Sequence, residues 1–128
     1  MDQSFKETTI WVALGGACGA LLRHTTNLTF TQIPIESHFV TATAFENIFG
    51  SFLMGYFYSL FTKKKSPNKL RQFMLIGMIG SYTTYSGFGI EAMSLLGESA
   101  FVLSGFIFGQ VFIGLIALAA GLALGKKF

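Results

Sequence analysis

The sequence predicts an all-α membrane protein with four transmembrane helices, the third of them broken near its middle. Only 12% of the 128 residues are charged, whereas about a quarter of the residues in a soluble domain usually are. The charges are also segregated, because long charge-poor runs alternate with short polar links. Each run approaches or exceeds the roughly 20 residues that cross a bilayer as a helix. Runs and links account for the chain, so residues 1–128 are expected to form a single transmembrane domain.

The four predicted spans leave only short segments between them. They are Thr9–Leu28, Phe39–Phe61, Leu70–Leu96 and Phe101–Leu124. The links are Thr29–His38, Thr62–Lys69 and a tight turn around Gly97–Glu98. An even number of spans returns the chain to its starting side, so both termini and the middle link are expected on the same side of the membrane.

Basic residues are distributed unevenly between the two sides. The side of the termini holds eight of them, namely Lys6, Lys63, Lys64, Lys65, Lys69, Arg71, Lys126 and Lys127. The other side holds only Arg23. Because Lys and Arg accumulate in cytoplasmic segments, both termini are predicted to be cytoplasmic, in a multi-pass protein of the cell membrane. The same distribution explains the net charge of +3 without nucleic acid as a partner, although Lys63–Lys65 could also contact anionic lipid or another protein.

The third span contains the most informative stretch of the chain. Residues 77–91 read G-M-I-G-S-Y-T-T-Y-S-G-F-G-I-E, with glycines, hydroxyls and a carboxylate inside a hydrophobic segment. A broken helix at membrane depth must be buried in protein or line a watery path, because its backbone groups cannot remain unpaired in hydrocarbon. Polar residues at that depth indicate a functional site.

Small residues recur at four-residue spacing along the other predicted spans. The sets are Gly15 and Gly19; Ser51 and Gly55; Gly105 and Gly109; and Ala117, Gly121 and Gly125. Such faces allow helix backbones to approach closely in membranes. Four closely packed spans leave little interior, so a polar path is more plausible between subunits than inside one chain.

Three ordered elements carry a resemblance to a known family. Residues 15–23 read G-G-A-C-G-A-L-L-R, and residues 43–50 read T-A-F-E-N-I-F-G, which is similar to T-x-x-x-N-x-x-G. Residues 80–88 read G-S-Y-T-T-Y-S-G-F, which is similar to G-x-x-T-T-F-S-T-F. On these elements the chain resembles the small fluoride channels of the Fluc/CrcB family over essentially its whole length. The resemblance implies a passive, fluoride-selective channel that lets cytoplasmic fluoride escape and so reduces its toxicity.

The resemblance also implies an antiparallel dimer with two pores along the subunit interface and a central sodium ion that is structural and not transported. In the family, main-chain carbonyls at the break in the third span hold that ion. The matching positions here are Gly80 and Thr83. Such ligands suit a hard cation, because a break frees carbonyl oxygens from helix bonding.

The fluoride path implied by the resemblance uses an asparagine on span two and two aromatic residues on span three. Asn47 matches the asparagine and offers two amide donors without a fixed charge. Phe88 matches the second aromatic, and Tyr85 takes the place of the first; the positive edge of an aromatic ring suits a small anion. Further polar groups are expected from Thr84, Ser86 and Gln110. Weak neutral donors in series would replace the water shell of fluoride without trapping the ion.

Glu46 is a departure from the family pattern, which usually has an apolar residue before the asparagine. A carboxylate inside a span is expensive, so Glu46 is expected to face a cavity, pair with Arg or Lys, or carry a proton. Neighbouring helical residues point about 100° apart, so Glu46 and Asn47 need not line the same path. On span four, Gln110 and Gly114 stand where the family has small hydroxyl residues.

The orientation is a further departure. Singly encoded family members insert in both directions with balanced flanking charge, whereas this chain is biased eight to one. An antiparallel dimer then requires a related second chain of opposite bias. We therefore hypothesise that the protein is one subunit of a heterodimer, with Glu46, Tyr85 and Gly114 on a pore surface that has decayed.

Two charged residues near span ends have alternative interpretations. Arg23 is either an interfacial anchor that extends to the headgroups or, by the resemblance, a vestibule or structural residue. Glu91 matches a family carboxylate at the channel mouth, or is a solvated charge at the end of a helix.

Two other functions remain open. A proton-coupled transporter of the small multidrug-resistance type also has four spans, but relies on a carboxylate in span one, and here only Glu46 in span two is available. A non-conducting structural subunit is compatible with the departures. An enzyme is not expected, because the sequence contains no nucleophile–base set, metal cluster or phosphate-binding loop.

Overall fold

The structure, a computed structural model, describes residues 3–34 and 37–128, with side chains from residue 6. Its elements are α1 (Gln3–Thr31), α2 (Ala42–Lys63), α3 (Asn68–Arg71), a π-helix (Gln72–Ile79), α4 (Gly80–Tyr82), α5 (Tyr85–Ser94) and α6 (Ala100–Gly125). No strand occurs in these residues. The predicted all-α class is therefore confirmed.

The ends of the long helices follow local capping chemistry. The first predicted span lies within α1, which continues to Thr31. Helix α2 begins at Ala42, after the predicted start at Phe39, because the Thr41 hydroxyl accepts a hydrogen bond from the Ala44 backbone N–H at 3.0 Å. Ser99 caps α6 in the same manner. Serine and threonine are favoured at this position because their side-chain oxygen satisfies a free N–H of the first turn.

Helix α6 is the one helix in the described part of the chain that is both long and apolar enough to cross a membrane. Helices α1 and α2 are long enough but carry more polar residues. The third predicted span is divided into short pieces. Four spans are thus not evident from length and apolarity alone.

The break in the third predicted span lies at Thr83 and Thr84. Thr83 is extended, with ψ of 151°, and Thr84 has φ of −144° and ψ of 115°. Such conformations suit β-branched residues. Before the break, α3, the π-helix and α4 run continuously, and the π-helix is wider than an α-helix because its hydrogen bonds join residues five apart. The interruption falls within the stretch from 77 to 91 that was expected to contain it.

The helices pack as two main pairs, α2 with α6, and α1 with the π-helix. Glycines form the closest contacts in both pairs. A Cβ atom built on Gly15 would overlap the Phe73 carbonyl oxygen, and one built on Gly121 would overlap the Phe52 carbonyl oxygen. Gly19, Gly55 and Gly125 are restricted in the same way. Gly109 differs, because nothing lies within 4 Å of its Cβ position, so it does not belong to a close helix contact in this chain.

Two contacts bring helix ends with basic residues together. The Lys69 ammonium lies 3.3 Å from a Glu7 carboxylate oxygen, which joins the beginning of α1 to α3. The Lys63 ammonium donates to the Lys126 carbonyl at 3.0 Å, which joins the ends of α2 and α6. Much of the remaining surface is apolar: Phe101 is 83% exposed, Leu21 67% and Ile116 67%. These large exposed side chains suit contact with lipid or a second chain.

Candidate functional site

A groove of about 460 Å³ lies between α2, the break and α6. The predicted path residues Asn47, Thr84, Tyr85, Phe88 and Gln110 all line it, together with Thr83 of the predicted sodium site and Gly114. Its remaining lining is mostly aliphatic, including Met54, Ile79 and Leu115. The fold thus brings residues distant in sequence to one surface that combines polar groups, aromatic rings and an apolar wall.

Asn47 holds the backbone at the break through both atoms of its amide. Its Nδ2 donates to the Thr84 carbonyl at 3.0 Å, and its Oδ1 accepts from the Thr84 N–H at 2.8 Å. An amide nitrogen has two hydrogens, so one donor is occupied and one remains. Asn47 therefore fixes the backbone at the break, and its remaining N–H is a candidate donor to an anion.

Side chains at the break divert two backbone N–H groups away from helix bonding. In a continuous α-helix each carbonyl accepts from the N–H four residues later, so Gly80 would pair with Thr84, and Thr83 with Gly87. Here the Thr84 N–H bonds to Asn47, and the Gly87 N–H donates to the Thr84 hydroxyl at 3.0 Å. The Gly80 and Thr83 carbonyls, the two positions predicted to bind sodium, therefore lack their usual helix donors, and the Gly80 carbonyl instead accepts from the Thr83 hydroxyl at 3.5 Å.

The hydroxyls expected along the path are largely used for local structure. The Thr84 hydroxyl caps α5 and lies 3.1 Å from the Ser86 hydroxyl. Ser86 is exposed and does not line the groove. These two residues therefore shape the start of α5, and only Thr84 also borders the groove.

Tyr85, Phe88 and Phe106 form a row of neighbouring rings, the aromatic ladder. Tyr85 and Phe88 line the groove. The ring centroids of Tyr85 and Phe88 are 5.8 Å apart with an interplanar angle of 39°. Phe88 stacks in turn on Phe106 at 5.7 Å and 8°. Phe106 is 1% exposed and Tyr85 is 85% exposed, so the ladder runs from the packed core to the open surface.

Gln110 presents an amide without a hydrogen-bond partner. Both its Oε1 and its Nε2 are buried, and neither forms a hydrogen bond to any described residue. Buried polar groups are usually paired, and an exception indicates a functional role or an absent partner. Since Gln110 lines the groove, its amide is available to something that occupies it.

Comparison with known protein families assigns the chain to one of them. Residues 10–122 match the family described as CrcB-like protein, Camphor Resistance (CrcB). The chain belongs to the CrcB family.

Among CrcB relatives, the fluoride-specific ion channel FluC of Stutzerimonas stutzeri is 40% identical over 90% of this chain and 94% of its own length. The protein of the same name from Flavobacterium psychrophilum is 36% identical over 94% of this chain and 98% of its own length. That from Trichormus variabilis is 35% identical over 91% of this chain and 87% of its own length. The predicted resemblance to this family is confirmed. The chain is accordingly a membrane protein and not an enzyme.

Glu46 of this CrcB chain lies away from the groove, although its neighbour Asn47 lines it. Its side chain is 0% exposed, and its Oε1 accepts a hydrogen bond from Asn27 Nδ2 at 2.6 Å. No ion pair with Lys or Arg forms in the described residues, and Oε2 has no hydrogen-bond partner there. Of the three expectations for Glu46, namely a cavity, a basic partner or a bound proton, the described residues do not supply the basic partner. Asn27 was not among the residues predicted from the sequence. The feature that could have identified it is a polar amide within span one, one helical turn after Arg23.

Arg23 and Glu91 also lie outside the groove of the CrcB chain. A Glu91 carboxylate oxygen accepts from the Thr41 hydroxyl at 2.9 Å, and Thr41 caps α2. Glu91 thus connects α5 to the start of α2. Arg23 is half-buried on α1, and its carbonyl accepts a second hydrogen bond from Asn27 Nδ2 at 2.9 Å.

Proposed function

We propose that this chain is a subunit of a fluoride-selective channel that lets fluoride leave the cytoplasm passively. The observation that carries the proposal is the groove, where Asn47, Gln110 and the rings of Tyr85 and Phe88 meet on one open surface. The names of the relatives, each a fluoride-specific ion channel, support the same substrate.

The chemistry of the groove suits a small anion. The second N–H of Asn47 and the unpaired amide of Gln110 are neutral donors, and the edges of Tyr85 and Phe88 carry partial positive charge. Together they would replace water around fluoride without a fixed positive charge that would hold it. The carboxylate of Glu46 would repel an anion, but it lies outside this surface.

We further propose a structural sodium ion at the break. The Gly80 and Thr83 carbonyls would be its ligands, because the N–H groups that would otherwise pair with them are bonded elsewhere. Carbonyl oxygens are suitable ligands for a hard cation. Two facing breaks would supply four such oxygens, so the ion belongs at an interface between two chains, where it is held and not transported.

The dimer that we propose is antiparallel and heteromeric. The groove is open in a single chain, and a second subunit would close it into a path along the interface. The eight-to-one distribution of basic residues favours one orientation in the cell membrane, with both termini in the cytoplasm and four spans between them. A related chain of opposite bias would therefore supply the other half.

Fluoride efflux from liposomes tests this proposal. We expect the purified chain alone to give little efflux, and the chain co-reconstituted with a related protein of opposite charge bias to give fast efflux of fluoride and none of chloride. Replacing sodium by N-methylglucamine on both sides should reduce the flux of the active pair, because the break would lose its cation.

The outcomes separate the parts of the proposal. Fast efflux from the chain alone would contradict the requirement for a second protein, and a tag-accessibility map showing both orientations would do the same. Efflux unchanged after complete replacement of sodium by N-methylglucamine would contradict the sodium site. Absence of fluoride flux from every pairing would contradict channel function and favour a non-conducting subunit.

Replacing Gln110 with methionine is expected to stabilise the chain while lowering fluoride flux. Methionine has a similar length but no polar atoms, so the substitution removes two buried unpaired groups, which cost about 1–3 kcal/mol when left unsatisfied. The measurements are the thermal unfolding midpoint in detergent and the efflux rate of the conducting complex. Gln72→Met is the matched control, because the Gln72 amide bonds to Thr8 at 3.1 Å and its loss should be destabilising. A less stable Gln110→Met variant, or one with full flux, would contradict the assignment.

A further inference from the structure

Three hydrogen-bonded contacts join α1, α2 and the break in a closed ring. They are Thr26 Oγ1 with the Tyr82 hydroxyl at 3.2 Å, Asn27 Nδ2 to Glu46 Oε1 at 2.6 Å, and Asn47 with the Thr84 backbone at 2.8 and 3.0 Å. Thr26 and Asn27 are adjacent on α1, and Glu46 and Asn47 are adjacent on α2. Tyr82 and Thr84 stand on either side of Thr83. The three contacts therefore enclose the interrupted segment.

The contact between Asn27 and Glu46 is the part of this ring that the proposed channel function does not use. Glu46 is fully buried and outside the groove. Apart from this region α1 and α2 contact each other little, since each packs mainly on a different helix. A short hydrogen bond at this point thus joins α1 to α2 directly, whereas the hydrophobic core of Phe61, Leu75 and Ile79 joins α2 to the π-helix.

We infer that Asn27 and Glu46 are positioning residues that hold the break of the third span in place through their neighbours on α1 and α2. Glu46 fixes α2 against α1, and Asn47, one residue further, then reaches Thr84. Tyr82 provides the second connection, because its hydroxyl bonds to Thr26 beside Asn27. The inference deepens the proposed function. It rests on that function for the role of the break in conduction, whereas the ring of hydrogen bonds itself is observed.

The acceptor oxygen of Glu46, and not its negative charge, performs this role. Oε1 receives the hydrogen bond from Asn27, while Oε2 has no partner in the described residues. Arg23 lies one turn before Asn27 on α1, but it forms no ion pair with Glu46 in the described residues. A charge-dependent role would require a paired cation at this depth. Glutamine at position 46 would keep the acceptor and the shape.

Amide hydrogen exchange of the full-length chain in nanodiscs tests the inference at the break itself. The variants are Asn27→Leu, Glu46→Leu and Glu46→Gln, and the peptide to follow covers residues 82–88, with α6 peptides as the internal reference. Thr25→Val is the matched control, since the exposed Thr25 bonds only within α1.

We expect Asn27→Leu to accelerate exchange of this peptide by on the order of tenfold, because both oxygens of the buried Glu46 then lack a partner. Glu46→Leu should have a smaller effect, since Asn27 retains its bond to the Arg23 carbonyl. Glu46→Gln should remain within about twofold of the original chain, as should Thr25→Val. If Asn27→Leu does not fold, Tyr82→Phe opens the ring at its other connection, and we expect about threefold acceleration.

Two results would overturn the inference. Exchange at residues 82–88 that is unaffected by Asn27→Leu, Glu46→Leu and Tyr82→Phe would show that the ring does not position the break. Amide exchange at residues 82–88 that is as fast in Glu46→Gln as in Glu46→Leu would show that the negative charge of Glu46, and not its acceptor oxygen, holds the break. Because exchange does not require conduction, these results stand even if no fluoride flux is found. In a conducting complex, we expect Asn27→Leu to reduce fluoride efflux and Glu46→Gln to leave it normal. Full efflux from both variants would overturn the role of Asn27 and Glu46 in conduction.

Discussion

Replacing Asn47 with leucine is expected to abolish fluoride flux and to reshape the break in the third span. Leucine fills a similar volume but offers no bond to the Thr84 N–H or carbonyl, which Asn47 now holds at 2.8 and 3.0 Å. Each backbone group left unpaired costs about 1–3 kcal/mol. The Thr84 N–H can recover its bond by returning to the Gly80 carbonyl, which repairs the helix and removes a proposed sodium ligand.

The experiment compares fluoride efflux and Thr84 amide exchange in the conducting complex. Asn47→Asp separates the two roles of the residue, because a carboxylate still accepts from the Thr84 N–H but repels an anion. We expect Asn47→Asp to lose flux but to retain part of the Thr84 amide protection, because the bond to the Thr84 N–H remains while the bond to its carbonyl is lost, whereas leucine loses both bonds and the flux. Thr62→Ala is the control on α2, since Thr62 is exposed at the far end of the helix. Normal flux from Asn47→Leu would be incompatible with either role.

Replacing Gly15 with alanine is expected to destabilise the chain strongly, while the same change at Gly16 should be harmless. A Cβ on Gly15 would overlap the Phe73 carbonyl oxygen and lie 3.0 Å from the Met78 nitrogen. Both are backbone atoms, so α1 and the π-helix must separate, at a cost of about 1–3 kcal/mol or more. Nothing lies within 4 Å of a Cβ on Gly16, where alanine should stabilise the helix by about 0.5–1 kcal/mol.

The two glycine variants are best compared by thermal unfolding of the full chain in detergent. Both substitutions have the same size and the same helix propensity, so the difference between them reports the contact with the π-helix alone. Equal midpoints for Gly15→Ala and Gly16→Ala would contradict the close approach of these two segments.

Several features of the site were predictable from local chemistry. The glycines and hydroxyls from 77 to 91 predicted an interrupted helix, and the break lies inside that stretch at Thr83 and Thr84. Five predicted path residues line one groove, because the family motifs specify residue types that the fold brings together. The small-residue spacing likewise indicated the close approach at Gly15 and Gly121.

Other features depend on partners that a pattern does not contain. The sequence does not show that Asn47 fixes the backbone at the break, because it does not show that Thr84 lies opposite Asn47. A basic partner was one of three expectations for Glu46, beside a cavity and a bound proton, and its hydrogen-bond partner in the described residues is a neutral amide on another helix. Gly109 fits the small-residue pattern as well as Gly121 does, yet only the latter meets a helix backbone in this chain. Spacing identifies a face, and only the packing identifies what the face meets.

The π-helix at Gln72–Ile79 has a consequence for how the third span tolerates insertions and deletions. Removing one residue from an α-helix rotates every later residue by about 100° about the helix axis. The wide turns of the π-helix set the angular phase with which Thr83, Thr84 and Phe88 arrive beside α2 and α6. Removing one residue from this segment while its π-helical turns remain would present a different side of the span to the groove. Removing one residue while a turn narrows to the α-helical bonding pattern would leave the later residues facing the same way, so the π-helix can absorb a change in length.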